Sequence, residues 1–146
     1  MRDSAIIIIP SHPKYLSIVR EVTVKMAELS GMAESAIEDV KLAVDEACSN
    51  VIKHAYKGVL NQKIILRFKT SSKGFEVIID DNGIKVLPES LVGRDLEDIR
   101  PGGLGIHFIK KVFDIFAFDE KKKKGNRLRL LKYINPKDAD IAQKFI

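Results

Sequence analysis

Residues 33–58 read AESAIEDVKLAVDEACSNVIKHAYKG. Apolar Ile37, Val40, Val44, Ala47, Val51 and Ala55 recur at helical spacing and Gly58 is placed to stop the chain, so the pattern predicts a helix from about Ala33 to Tyr56. Within it Glu46 and Asn50 are four residues apart and share a face, about 100° round from the Ala47 and Val51 stripe. They are therefore able to face a cleft beside the core. A carboxylate and an amide carbonyl in that relation can offer oxygen ligands to Mg²⁺, or orient a water or hydroxyl for transfer chemistry. Taken alone, the same pair describes any polar helix edge.

Working outward, β-branched Ala5 to Ile9 ends at Pro10 and predicts a buried opening strand. Leu16, Val19, Val22, Met26 and Leu29 then mark a first helix from His12, closed by Ser30-Gly31. Beyond the long helix, Lys63 to Thr70 and Phe75 to Asp80 read as strands joined by the polar link Ser71 to Gly74, a hairpin. Residues 81–102 lack periodicity and carry glycines and prolines, the composition of a functional loop or lid. Regular structure returns with a short helix over Gly105 to Phe113, a strand at Ile115 to Asp119, a turn at Lys121 to Asn126 and a last strand at Arg127 to Ile134. This order predicts an α+β two-layer sandwich, with helices packed on one face of a mixed, largely antiparallel sheet.

A chain of 146 residues with 45% apolar content suits one well-buried core, so a single domain is expected over residues 1–146, with 135–146 as a C-terminal tail. No apolar run approaches the roughly 20 residues that cross a bilayer, and no secretory leader is recognisable. The expectation is a cytoplasmic protein without a membrane partner. Cys48 is the single cysteine, which excludes an internal disulfide and suits a small core residue on the long helix. The net charge is +5, but four of the positive charges lie in Lys121 to Lys124 with no aromatic interleaved, so that run reads as a solvated turn and no direct nucleic-acid partner is expected.

Two further motifs carry chemistry. Asp80-Asp81-Asn82-Gly83 ends a strand, where a fixed carboxylate beside a sharply turning glycine can accept a hydrogen bond from the exocyclic amine of adenine. Gly102-Gly103-Leu104-Gly105 enters a helix, where glycines let backbone approach phosphates and the helix N-terminus supplies amides and a favourable dipole. It is not the standard phosphate loop, since GxxxxGK[ST] is absent.

The order of these motifs, ExxxNxxxH on a helix, DxG after a strand, GGxG before a helix and a Gly125 turn into the last strand, is far more specific than any one of them. In this the chain resembles the histidine-kinase-like (GHKL) ATPase superfamily, whose N, G1 and G2 boxes are similar to Glu46-Asn50-His54, Asp81-Gly83 and Gly103-Gly105. Asp45 to Asn50 with His54 to Lys57, together with Gly102 to Ile106, resembles the branch of bacterial anti-sigma-factor serine/threonine-protein kinases. Only about 30 residues precede the long helix, which leaves no room for the phospho-acceptor helix pair of a sensor kinase.

The resemblance implies an anti-sigma factor that binds ATP or ADP with Mg²⁺ and phosphorylates a serine on an anti-anti-sigma protein. The alternative is a regulatory module that holds a protein partner without efficient kinase activity. It also implies the roles: Glu46 as the base at the acceptor serine, Asn50 as the magnesium ligand and Asp81 as the adenine contact. Gly83, Gly103 and Gly105 shape the nucleotide pocket, Arg100 is placed to contact the terminal phosphate, and Arg20 matches a position used in partner contact. A sigma factor, the antagonist protein and a second copy of the chain in a homodimer are the implied partners. Lys85 stands where many superfamily members have a second glycine, and Asn126 stands where a threonine is common.

Overall fold

The computed structural model describes residues 3–86 and 105–134. Strand β1 is Ser4–Pro10; helix α1 is Leu16–Leu29, preceded by a 3₁₀ turn at Pro13–Tyr15; helix α2 is Glu34–Asn50 and runs on into a π turn at Val51–Ala55. Strands β2 (Lys63–Ser71) and β3 (Gly74–Asp81), helix α3 (Gly105–Val112), and strands β4 (Ile115–Phe118) and β5 (Asn126–Tyr133) follow. The expected loop over 81–102 lies, beyond Val86, outside the described residues, as does the tail 135–146.

One sheet takes the order β1-β2-β3-β5-β4, and all four neighbouring pairs are antiparallel. The β2–β3 register sets Ile64 opposite Asp81 and Ser71 opposite Gly74, which is the expected hairpin. The helices cover one face. There Ile64, Leu66 and Phe68 of β2, Phe75, Val77 and Ile79 of β3, and Leu128 and Leu130 of β5 are buried against Val19 and Met26 of α1, Val40, Val44 and Ala47 of α2, and Ile106 and Ile109 of α3. Side chains of a strand alternate between faces, so every second residue reaches this layer. Cys48 is fully buried in it, as expected.

The other face carries ion pairs, Arg129 Nε to Glu76 Oε2 at 2.6 Å and Arg127 Nε to Asp80 Oδ1 at 2.7 Å. It explains one departure from expectation. Strand β1 is apolar from Ala5 onward, yet Ile6 and Ile8 are 63% and 60% exposed and only Ile9 is buried. An antiparallel edge strand with helices on one side buries alternate residues whatever its composition. Leu29 at the end of α1 is likewise exposed rather than part of the stripe.

Helix α1 ends through Ser30 and a left-handed Gly31 (φ +83°), the conformation that glycine adopts without steric cost. Helix α2 begins after extended Ala33, with Glu34 in its first turn to favour the positive end of the dipole.

The alternation yields a contrast within β2. Phe68→Ala should lower the stability to urea denaturation by about 3–5 kcal/mol, because it opens a cavity in the close-packed layer. Arg67→Ala, one residue earlier on the exposed face, should stay within about 0.5 kcal/mol. Equal losses would mean that β2 does not present these faces.

Candidate functional site

Asp81 is the last residue of β3 and faces the helix layer, 3% exposed. Its Oδ1 accepts hydrogen bonds from the Gly83 N–H (2.9 Å), the Asn126 N–H (3.2 Å) and the Asn126 Nδ2 amide (3.0 Å), while Oδ2 accepts from the same amide at 3.3 Å. Burial raises the Asp81 carboxyl above the usual range, against the opposing pull of these hydrogen bonds and of the Lys122 charge. Asn126 does more than hold the carboxylate. Its amide also donates to the Ile84 carbonyl (2.8 Å), and its Oδ1 accepts from the Val86 N–H (2.9 Å).

The other wall comes from the end of α2. The long helix does not stay α-helical to Tyr56: the Tyr56 N–H donates to the Val51 carbonyl five residues back at 3.0 Å, forming the π turn. Lys57 and Gly58 then take positive φ (51° and 82°), and the Gly58 N–H returns to the Ile52 carbonyl at 2.8 Å. This geometry turns the Ala55 carbonyl outward to accept the Ile84 N–H at 2.9 Å. A Cβ on Gly83 would stand 2.3 Å from that carbonyl oxygen, so the approach requires glycine. The buried Tyr56 hydroxyl donates to the Lys63 carbonyl and accepts the Asn82 N–H at 2.8 Å. Four amides of the segment 82–86 are therefore satisfied by fixed partners at the end of the π turn and on β3 and β5.

Between these walls lies a cleft. Asn50, Asp81 and Asn126 are its polar groups, set among apolar Ala47, Val51, Ile79, Ile106, Phe116 and Leu128. An apolar slot with a few fixed polar groups suits a planar heteroaromatic ring. Glu46 lies one helical turn before Asn50, against the start of α3, where a Cβ on Gly105 would fall 2.1 Å from Glu46 Oε1. Glycine thus lets the α3 N-terminus, with its outward amides, meet the glutamate. His54 is held below the ordinary imidazole range by burial and by the charges of Lys57 and Lys53, with Glu46 acting in the opposite direction.

Asn50 and Asp81 thus line one cleft, Gly83 donates to Asp81, and Glu46, one turn before Asn50, meets Gly105. Arg100 and Gly103 lie outside the described residues. Arg20 is elsewhere: its Nη1 pairs with Asp45 Oδ1 at 2.7 Å, and it borders an open groove with Ser17, Glu21, Lys25 and Lys41. Sequence reasoning gave no site role to Ala55, Tyr56 or Lys122. Tyr56 reaches Asn82 across 26 residues, and Lys122 reaches Asp81 across 41, so no local spacing signals either contact.

Comparison with known proteins places this geometry. A match to the family described as "Histidine kinase-like ATPase domain" extends over residues 9–132. The chain is 33% identical to the "Serine-protein kinase RsbW" of Listeria innocua, across all of this chain and 97% of that protein. The protein of the same name in Listeria monocytogenes is also 33% identical over the same shares. The one in Bacillus subtilis is 29% identical, across 90% of this chain and 86% of its own length. A match over most of the chain, together with relatives that match along nearly its whole length, means that the chain belongs to the histidine kinase-like ATPase domain family.

Proposed function

We propose that this protein binds ATP in the cleft beside α2, transfers the terminal phosphoryl group to a serine of a partner protein, and restrains a sigma factor until that partner displaces it. The observation that carries the reading is the meeting of Glu46 with Gly105 one helical turn from Asn50, on the cleft whose far wall is Asp81. Relatives matching across the whole chain and named as serine-protein kinases support the same reaction.

In this reading adenine enters the apolar slot and its exocyclic amine donates to the Asp81 carboxylate, which the Gly83 N–H and the Asn126 amide hold in place. The phosphates extend toward the N-terminus of α3, with Gly103 and Arg100 completing their surroundings. The serine oxygen attacks the terminal phosphorus, the bond from that phosphorus to the bridging oxygen breaks, and ADP leaves. Glu46 takes the serine proton.

A bound Mg²⁺ would neutralise the charge that builds on the phosphate oxygens. Among the described residues no three His, Cys, Asp or Glu side chains converge as a metal cage. This donor set suits magnesium held by one protein oxygen, that of Asn50, together with phosphates and water. Among the described residues no helix is long and apolar enough to cross a membrane. The proposal includes a cytoplasmic location and a homodimer, with Arg20 and its groove on α1 as a partner contact.

Three outcomes test the proposal. ATP at 100 times its Kd should stabilise the protein by about 2.7 kcal/mol and raise its melting temperature, and Asp81→Asn should shrink that shift. If neither ATP nor ADP moves the melting curve and calorimetry finds no binding, the nucleotide reading is wrong.

Glu46→Gln should retain ATP yet lose about 10² to 10⁴ in single-turnover transfer to the partner serine, whereas Asn50→Ala should weaken the magnesium-dependent part of ATP binding itself. Transfer at the wild-type rate in Glu46→Gln would assign the base to another residue.

Arg20→Glu should weaken one partner complex and leave the ATP-induced melting shift intact, since its groove is separate from the cleft. Unchanged affinity for a sigma factor and for the antagonist, measured by titration, would remove Arg20 from the contact surface.

A further inference from the structure

Lys122 stands apart from the rest of its run. Lys121, Lys123 and Lys124 are exposed, but the Lys122 side chain is only 17% exposed. Its ammonium donates to the Asp81 carbonyl at 2.8 Å, to Asp80 Oδ1 at 3.2 Å and to the Asn126 carbonyl at 3.3 Å. An ammonium has three protons, so each has an acceptor. Enclosing a charge is costly unless it is paired in this way, and a solvated turn has no need of it.

The acceptors explain the arrangement. Asp81 and Asn126 form the last pair of the β3–β5 ladder, and both contribute a polar side chain to the cleft. Their carbonyls are gripped by one lysine. Asp80, the neighbour whose side chain points to the opposite face, anchors that lysine through Oδ1, which also takes Arg127 Nε at 2.7 Å. Asp80 Oδ2 is buried and has no hydrogen-bond partner among the described residues. One carboxylate oxygen thus serves both cations while the other goes without. The Lys85 ammonium donates to the Lys122 carbonyl, tying the segment after Gly83 to the same turn. Closeness is absolute at Gly125, where a Cβ would fall 2.0 Å from the Asp81 carbonyl oxygen.

We infer that Lys122 is a positioning residue for base recognition: from behind the sheet it fixes the Asp81 and Asn126 backbones, and so fixes the carboxylate that reads the exocyclic amine of adenine. It does not touch the nucleotide. The inference rests on the adenine seat proposed above and adds the residue that sets its selectivity, together with Asp80 as its anchor.

The decisive quantity is the ratio of affinities for ATP and for ITP, which presents a carbonyl where ATP presents the amine. A merely structural lysine would lower stability, or weaken both nucleotides alike, without moving this ratio. Lys122→Met should weaken ATP about tenfold while changing ITP little, since a misaligned hydrogen bond to a charged acceptor loses most of its contribution. Asp80→Asn, which leaves the lysine in place but removes its anchor, should lower the ratio in the same direction and decides the matter if Lys122→Met does not fold. Calorimetric titration of wild type, Lys122→Met, Asp80→Asn and Asp81→Asn with both nucleotides separates the possible failures. A wild-type ratio above one that collapses in Asp81→Asn but is unchanged in the foldable Lys122 and Asp80 variants overturns the positioning role. A wild type that binds ATP and ITP equally overturns the adenine seat itself.

Discussion

The buried carboxylate of Asp81 is the constraint around which the ligand side of this molecule is organised. A carboxylate 3% exposed, at the end of a strand, needs donors from the protein because water cannot supply them. Gly83 and Asn126 supply these donors, and each is in turn held by something else. Asn126 is the first residue of β5, paired with Asp81, so the antiparallel ladder brings the amide to the carboxylate. Gly83 is pressed on the Ala55 carbonyl, which fixes the segment at the distance where its N–H meets Oδ1. Removing any one of these supports leaves the carboxylate under-satisfied in a low-dielectric place, at a cost of about 1–3 kcal/mol or more. The hydrogen bonds that position this carboxylate, the adenine contact in the proposed function, are therefore also ones that the fold depends on.

The π turn at the end of α2 solves a related geometric problem. An ordinary helix from Glu34 to Tyr56 would commit the Val51 carbonyl to the Ala55 N–H; widening the turn gives it to Tyr56 instead and rotates the following backbone. The Ala55 carbonyl then aims sideways at Ile84, and the Tyr56 ring lies under the start of β2 with its hydroxyl between Lys63 and Asn82. One irregular turn thus registers the end of the long helix against the segment that follows Asp81.

Much of this was legible in the chain, and the limits have a common cause. Helices, strands and the hairpin follow from periodicity, a local property, and so their positions agree with expectation to within a residue or two at most ends. The relation of Glu46 to Asn50 follows from helical pitch alone. What composition misreads is environment: four isoleucines in β1 look buried, but the edge position and one-sided helix layer leave Ile6 and Ile8 outside. The lysine run looks solvated, yet Lys122 folds back onto Asp80 and two carbonyls. Such contacts depend on which distant strand ends adjoin, and no window of sequence contains them. Asn126 and Lys85 are intermediate cases. Both stand out by departing from the family pattern, but only the coordinates reveal that the asparagine spans Asp81, Ile84 and Val86, or that the Lys85 ammonium reaches the turn before β5.

The placement of Arg20 gives α2 a second significance. Asp45 and Glu46 are adjacent, and successive helical residues point about 100° apart. Asp45 accordingly turns toward α1 and pairs with Arg20, while Glu46 turns toward α3 and meets Gly105. The exposed pair contributes little to stability, since its side chains are 40% and 26% exposed and water competes for both. Its value is positional. A protein lodged in the groove beside Arg20 would touch the same helical turn that carries the proposed base, with no intervening element to absorb a displacement. In the proposed function, a rigid helix sharing its two faces in this way would give partner contact and phosphoryl transfer a common mechanical reference, which a design with the two surfaces on separate loops would lack.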